Sequence, residues 1–279
     1  LDGKISMLKL HVLASGSKGN AAVVENAATG AGVLVDCGIC KRDFLARCDE
    51  AGFDPARIEA VVVTHEHTDH VKGLGVVLRG LAKLGCAPTV HVSEACVRNS
   101  ATLQEIADAH SVAPLAANDP VESADIRLTP FATSHDAAAS FGFRIEDAAD
   151  GDAIGFLTDS GIVPLATRAA LSGVRILALE SNHDAAMLKA GPYPFPVKQR
   201  IAGDSGHLSN AQAAGELAAL ISASRDAGLR GPEAVIAMHI SQTNNDYVLL
   251  KHALEGALDE AGCEARVLCG YQSRLTSVS

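Results

Sequence analysis

Val61-Val62-Val63-Thr64-His65-Glu66-His67-Thr68-Asp69-His70 is an apolar run that passes directly into the pattern H-x-H-x-D-H. An unbroken short run of β-branched residues predicts a buried strand. At an extended strand end, residues i and i+2 point the same way, so His65 and His67 can grip one ion. Asp69 and His70, at the turn into the next segment, can hold another. The competing reading is purely structural: four solvated loop residues, with Asp69 capping the helix that follows. Imidazole and carboxylate donors in this order suit Zn or Mn, with Fe(II) a further option.

Outward from this motif, strand-like runs bounded by Gly, Asn or Asp stand at residues 9–14, 21–25, 32–36 and 60–64. Residues 69–84 predict an amphipathic helix, with Val71, Leu74, Val77, Leu78 and Leu81 recurring on one face. The second half repeats the theme, with strands at 126–131, 141–145, 153–157, 175–179 and 234–238. Helices are predicted at 210–222, capped by Ser209 or Asn210, and at 247–261. No linker, low-complexity tract or short repeat interrupts the chain, so the pattern predicts one domain, 1–279, of sheets covered by helices whose two halves are alike in layout. Residues 1–6 read as a remnant ahead of a natural start at Met7. Gly191-Pro192-Tyr193-Pro194-Phe195-Pro196 predicts a stiff surface loop leading towards Arg200 and His207.

Three downstream strand ends each present a ligand-type side chain. They are Thr133-Ser134-His135-Asp136, Leu157-Thr158-Asp159-Ser160-Gly161 and Met238-His239-Ile240-Ser241. A carboxylate such as Asp159 can bridge two ions about 3.5–4 Å apart, the spacing of two-metal hydrolases. His11, His91, His110 and His252 stand alone and read as non-functional.

Hydrophobic residues make up 48% of the 279 and charged ones 20%, which excludes a disordered chain. No apolar run approaches the roughly 18 residues of a membrane span, and Leu1-Asp2-Gly3-Lys4 lacks a secretory signal's layout, so the expectation is a cytoplasmic protein with no membrane partner. The odd count of seven cysteines predicts reduced thiols, and Cys37-x-x-Cys40 lacks the second pair of a zinc ribbon. A net charge of −10, without a basic stripe, counts against a passive DNA-binding module. It does not exclude a nuclease, because two bound divalent ions concentrate positive charge at one point. The 4% aromatic share, with no Trp, leaves few platforms for stacking bases.

The set His65-x-His67-x-Asp69-His70, His135, Asp159 and His239 resembles the ligand set of the metallo-β-lactamase superfamily. Leu13-Ala14-Ser15-Gly16-Ser17-Lys18-Gly19-Asn20, Leu34-Val35-Asp36-Cys37-Gly38, Glu180-Ser181-Asn182-His183-Asp184, Gly206-His207-Leu208-Ser209-Asn210 and His239-Ile240-Ser241-x-x-Asn244-Asn245 resemble its YycJ/VicX (WalJ) branch, which is related to ribonuclease Z. The resemblance implies an α+β fold, the αββα sandwich of two mixed sheets packed face to face with helices outside. It also implies a metal-dependent phosphodiesterase or DNA exonuclease acting at 5′ ends, with nucleic acid as its substrate. By the same resemblance His65, His67 and His135 hold the first metal, Asp69, His70 and His239 the second, and Asp159 bridges them. Asp36 supports the metal loop, while His207 protonates the leaving group with Glu180 as its acidic partner. One departure is Ala138-Ala139-Ser140, where relatives tend to carry a proline; it bears on the substrate-facing loop.

Two such ions acidify a water held between them from about 15.7 towards about 7, which supplies hydroxide at neutral pH. Attack in line on phosphorus, with His207 donating to the leaving alkoxide, completes the expected chemistry. Lys18, Lys198 and Arg200 offer cations for a phosphodiester. Ser17, Lys18 and Asn20 form a turn whose N–H groups can approach a phosphate, and His183 reads either as part of the site wall or as a structural hydrogen bond. Two alternatives stay open. A small-molecule hydrolase of the same fold, acting on a cyclic phosphodiester, thioester or lactone, fits the acidic charge. A non-catalytic metal-binding regulatory protein is the other, opposed by the presence of all seven ligand positions.

Overall fold

The computed structural model describes residues 8–279; the reading of residues 1–6 lies outside the described residues. β1 (Leu8–Ala14), β2 (Ala21–Asn26), β3 (Gly32–Val35), β4 (Ile58–Val62), β5 (Thr89–Val92) and β6 (Val112–Pro114) lie side by side in that order. The last strand, β14 (Thr276–Val278), pairs with the outer edge of β1. A second sheet runs β7 (Val121–Ser123), β8 (Ile126–Ala132), β9 (Phe141–Asp147), β10 (Ala153–Leu157), β11 (Ile176–Glu180), β12 (Ala234–Met238) and β13 (Arg266–Cys269). The likeness of the halves extends to polarity. In the first sheet β14, β1, β2 and β3 pair antiparallel and β3 to β6 parallel. In the second, β7 to β10 pair antiparallel and β10 to β13 parallel.

Parallel neighbours need crossover segments, and helices supply them. They are α1 (Lys41–Ala51), α2 (Thr68–Val71), α3 (Leu74–Lys83), α4 (Glu94–Asn99) and α5 (Ala101–Ala109) on the first sheet. On the second are α6 (Leu165–Leu171), α7 (Ala185–Ala190), α8 (Phe195–Ile201), α9 (Asn210–Asp226) and α10 (Tyr247–Ala261). Leu10, Val12, Val33 and Val62 of the first sheet share one core with Leu128, Phe143, Ile154 and Ile236 of the second. The outer faces are covered too: Leu34 and Val61 pack with Phe44 and Leu78, and Leu177 and Val235 with Leu217 and Leu254. Central strands buried on both faces read as continuous apolar runs, which is why they are legible in the sequence. The result is the αββα sandwich.

Three sequence expectations are corrected. The helix over 69–84 is two, α2 and α3, because a Cβ at Gly73 would overlap the Ile39 carbonyl oxygen; the chain approaches too closely there to stay regular. The stiff loop ends at Pro194, since Pro196 sits in the first turn of α8, where its missing N–H costs nothing. The helix from Asn210 runs on to Asp226, and Ser209 rather than Asn210 caps it, in a capping box with Gln212.

Candidate metal centre

Loops leaving the carboxyl ends of the strands converge at one end of the sandwich. Asp36 follows β3, His65 and His67 follow β4, His135 follows β8, Asp159 follows β10, Glu180 ends β11 and His239 follows β12. Asp36, Asp159 and His239 take positive φ of 57°, 54° and 52°. Non-glycine residues adopt that conformation at a cost of about 1 kcal/mol or more each, so the surrounding structure must hold them there.

The ligand atoms of His65, His67 and His135 lie within 4.8 Å of one another, as do those of Asp69, His70 and His239. Asp159 stands between the trios. Its carboxylate is 3.4 Å from His70 Nε2, 3.8 Å from His135 Nε2 and 3.4 Å from His239 Nδ1. The hydrogen bonds around the rings fix which nitrogens face inwards. Thr64 Oγ1 donates to Asp36 Oδ2 at 2.7 Å and accepts from His65 Nδ1 at 3.0 Å. His70 Nδ1 donates to the same Asp36 oxygen at 2.7 Å, and His135 Nδ1 to Gly206 O at 3.1 Å. These bonds leave lone pairs on the Nε2 atoms, and His65 Nε2 is buried without any partner among the described residues. A buried imidazole nitrogen with nothing to bond is costly unless a ligand completes it. His135 Nε2 and His67 Nδ1 face each other at 3.2 Å. This donor set fits two divalent ions, the partners of each ring being those that orient metal-binding histidines.

The electrostatics agree. Burial, reinforced by His70 and His135, pushes His65 well below its usual value, so it is neutral as a ligand must be. Burial alone would also lower His70, but Asp159, Asp36 and Asp69 raise it to about 9. His239 is likewise driven well above its usual value, against burial, by Asp159, Asp69 and Glu180.

His207 lies beside this centre. Its Nδ1 donates to Glu180 Oε1 at 2.7 Å, and Glu180 Oε2 accepts from Ser160 N at 2.9 Å and Leu208 N at 3.3 Å. Glu180 is fully buried, yet His207 and His239 hold its carboxyl below the usual range despite that burial. Nε2 is the His207 nitrogen left for proton transfer, on a ring 18% exposed.

The proposed substrate contacts are placed differently from one another. Lys18 N donates to Gln272 Oε1 at 2.8 Å, Gly19 N to Gly16 O at 3.0 Å and Asn20 N to Asp69 O at 2.7 Å. Three N–H groups around Ser17 thus have partners within the protein, one inside the turn and two on Gln272 and Asp69. Asn20 is a positioning residue: its Nδ2 donates to Asp69 Oδ2 at 3.2 Å. Arg200 pairs with Asp136 at the rim beside His135. His183 is buried outside both ligand trios, with Nδ1 unpartnered among the described residues. The sequence reading missed Thr64, which links Asp36 to His65, and Asn182, whose Nδ2 donates to His239 O at 2.7 Å. Thr64 was findable as the hydroxyl between a strand and its first ligand; Asn182 carries no such local signal.

Residues 32–240 match the family described as Beta-lactamase superfamily domain. The chain is similar to exodeoxyribonuclease YycJ of Bacillus anthracis, 30% identical over 257 residues that cover 91% of this chain and 90% of the relative. It is similar also to exodeoxyribonuclease WalJ of Streptococcus pneumoniae, 32% identical over 204 residues and 72% of each chain. Among solved structures, the metallo-β-lactamase fold protein YhfI of Bacillus subtilis superposes with a TM-score of 0.70 at 15% identity, covering 97% of this chain and 99% of that one; at that identity the match speaks for the fold alone.

Proposed function

This chain belongs to the metallo-β-lactamase superfamily, in its YycJ/WalJ branch, and from that premise we propose that it hydrolyses phosphodiester bonds as an exonuclease, removing nucleotides from the 5′ end of DNA. The observation that carries the reading is the convergence of two ligand trios on Asp159 with the His207–Glu180 pair beside them. His65, His67 and His135 would hold one divalent ion and Asp69, His70 and His239 the other, with Asp159 shared. Such ions, when bound, supply Lewis acidity towards phosphoryl oxygens and a water of pKa about 7.

The chain's own part is orientation and proton transfer. Asp36 and Thr64 fix the rings of His65 and His70. His207 carries a proton at Nε2 for the leaving alkoxide, and buried Glu180 stabilises the imidazolium through Nδ1. Lys18, Lys198 and Arg200 supply cations on the rim for the substrate backbone. The DNA assignment follows the activity named for the two relatives. The seven free thiols support a reducing, cytoplasmic setting, and no helix among the described residues is long and apolar enough to cross a membrane. The net charge of −10 favours one second reading, a small-molecule phosphodiesterase with the same centre.

The test is hydrolysis of 5′-phosphorylated single- and double-stranded DNA and of RNA by metal-stripped protein with Mn or Zn restored, alongside His67→Ala. Metal-dependent shortening of DNA from its 5′ end, absent in the variant, is expected. Turnover of bis-p-nitrophenyl phosphate without shortening moves the assignment to the second reading, and turnover of neither overturns both.

A further inference from the structure

Helices α7 and α8 stand beside the metal centre, and α8 feeds the loop that ends on His207, whose N–H donates to Ile201 O at 2.9 Å. Between them lies a cavity of about 340 Å³, walled by His183, Leu188, Lys189, Phe195, Lys198 and Gln199. That volume lies at the small end of the range of about 300–1,000 Å³ typical of ligand pockets. Of its lining residues, the chemistry derived above uses Lys198 alone.

Three features point to an occupant. Six of the seven phenylalanines are at most 7% exposed, whereas Phe195 is 70% exposed. It opens α8 between Pro194 and Pro196, whose fixed φ angles hold it out on a stiff backbone. Lys189 and Lys198 line the same wall; Lys198 Nζ donates to Lys189 O at 2.8 Å and keeps two further N–H bonds. His183, 2% exposed, closes the inner side of the cavity. An aromatic face, two lysines and a buried inner wall match the needs of an unstacked base and its phosphate. Resting on the nuclease reading above, we propose that this cavity seats the base of a nucleotide at or next to the scissile phosphate, stacked on Phe195, with Lys189 and Lys198 meeting its phosphate oxygens.

The experiment compares the metal-loaded full chain with Phe195→Ala and Phe195→Tyr on two single-stranded DNA oligonucleotides, one fully based and one abasic at the nucleotide removed first. The wild type is expected to cut the based strand with about 10-fold higher kcat/KM. Phe195→Ala should bring that ratio close to one, and Phe195→Tyr should preserve it. A Phe195 that served only structure would slow both strands alike. A wild type indifferent to the base, or an alanine variant that keeps the preference, overturns the proposal.

Binding of deoxyadenosine monophosphate against 2-deoxyribose 5-phosphate, by calorimetry, separates the cavity from the nuclease reading. A preference of about 10-fold for the nucleotide that Phe195→Ala abolishes supports the cavity assignment even if no nucleic acid is degraded, in which case only the nuclease reading falls. Shortening of DNA with equal binding of the two probes leaves that reading standing and overturns this one. Dissociation of a dimer in Phe195→Ala, seen by light scattering with base preference unchanged, assigns the face to a second copy of the chain instead.

Discussion

Asp36, Asp159 and His239 show at the level of single residues how the centre is made: each leaves a strand with a left-handed backbone and turns its side chain inwards. Asp36 is the clearest case, with Oδ1 accepting from Thr64 N at 2.8 Å while Oδ2 serves Thr64 and His70. Gly38 is equally constrained, because a Cβ there would overlap the Asp69 carbonyl oxygen. Gly38→Ala is therefore expected to displace Asp69 and to lower metal content from two ions to one or none, read by elemental analysis of folded protein. His207→Gln, which removes the proton donor but no ligand, should keep both ions and lower kcat on a phosphodiester by about 10²–10⁴-fold. Retained activity would remove His207 from its assigned role. Away from the site, His11 Nε2 donates to Glu25 Oε2 at 2.8 Å, and its Nδ1 accepts from Ser277 Oγ at 2.8 Å. Burial holds His11 below 6.5, a lowering that Glu25 opposes and Lys9 adds to; Glu25 in turn stays below 4.5, against its own burial, through Lys9 and His11. Both folded values are depressed, so the stability they contribute is full above pH 6.5 and falls on acidification through and below it. The unfolding free energy of the wild type minus that of His11→Phe, measured between pH 8 and pH 5, should decline as the pH drops.

Among the elements, those longest and most buried were the most legible. Tyr247–Ala261 has the bounds that its apolar spacing predicts, and Asp246 caps it by accepting from Val248 N at 2.7 Å and Leu249 N at 3.4 Å. Asp246→Ala is expected to cost about 1 kcal/mol, read as a lower urea midpoint with unchanged slope. Short or shallow elements were not legible. α1 buries only Phe44 and Cys48, β6 and β7 span three residues each, and α8 buries none, so no apolar period announces them. The break between α2 and α3 has a different origin. Gly73 reads as a tolerable helix residue, and only the approach of the Cys37–Ile39 segment, where Gly73 N donates to Cys37 O at 3.0 Å, shows why the helix stops.

For the molecule as a whole, the two sheets share one core, with Val62 and Phe143 in the same cluster. We propose that residues 1–279 form one domain, and expect far-UV and near-UV circular dichroism of the metal-free protein to report one coincident unfolding transition; two separated transitions would divide the chain. The groups that would hold each ion come from both halves, His65 and His67 with His135, Asp69 and His70 with His239. Loading should thus lock the halves together, adding about 2.7 kcal/mol at a hundredfold excess over Kd, visible as a higher Tm that a chelator reverses.

The sequence by itself made the central strands and the H-x-H-x-D-H motif legible, because a strand buried on both faces is an apolar run, although β4 lies at 58–62 rather than 60–64. Only the tertiary structure decided how those positions meet. The tautomer-fixing chain from Asp36 through Thr64 to His65, the bond from Asn20 to Asp69, and the cavity under Phe195 all join residues that no local period relates. Hydrophobic patterning is written along the chain at spacings of two and 3.6 residues, whereas hydrogen bonds between loops depend on the packing of two sheets and become visible only once that packing exists.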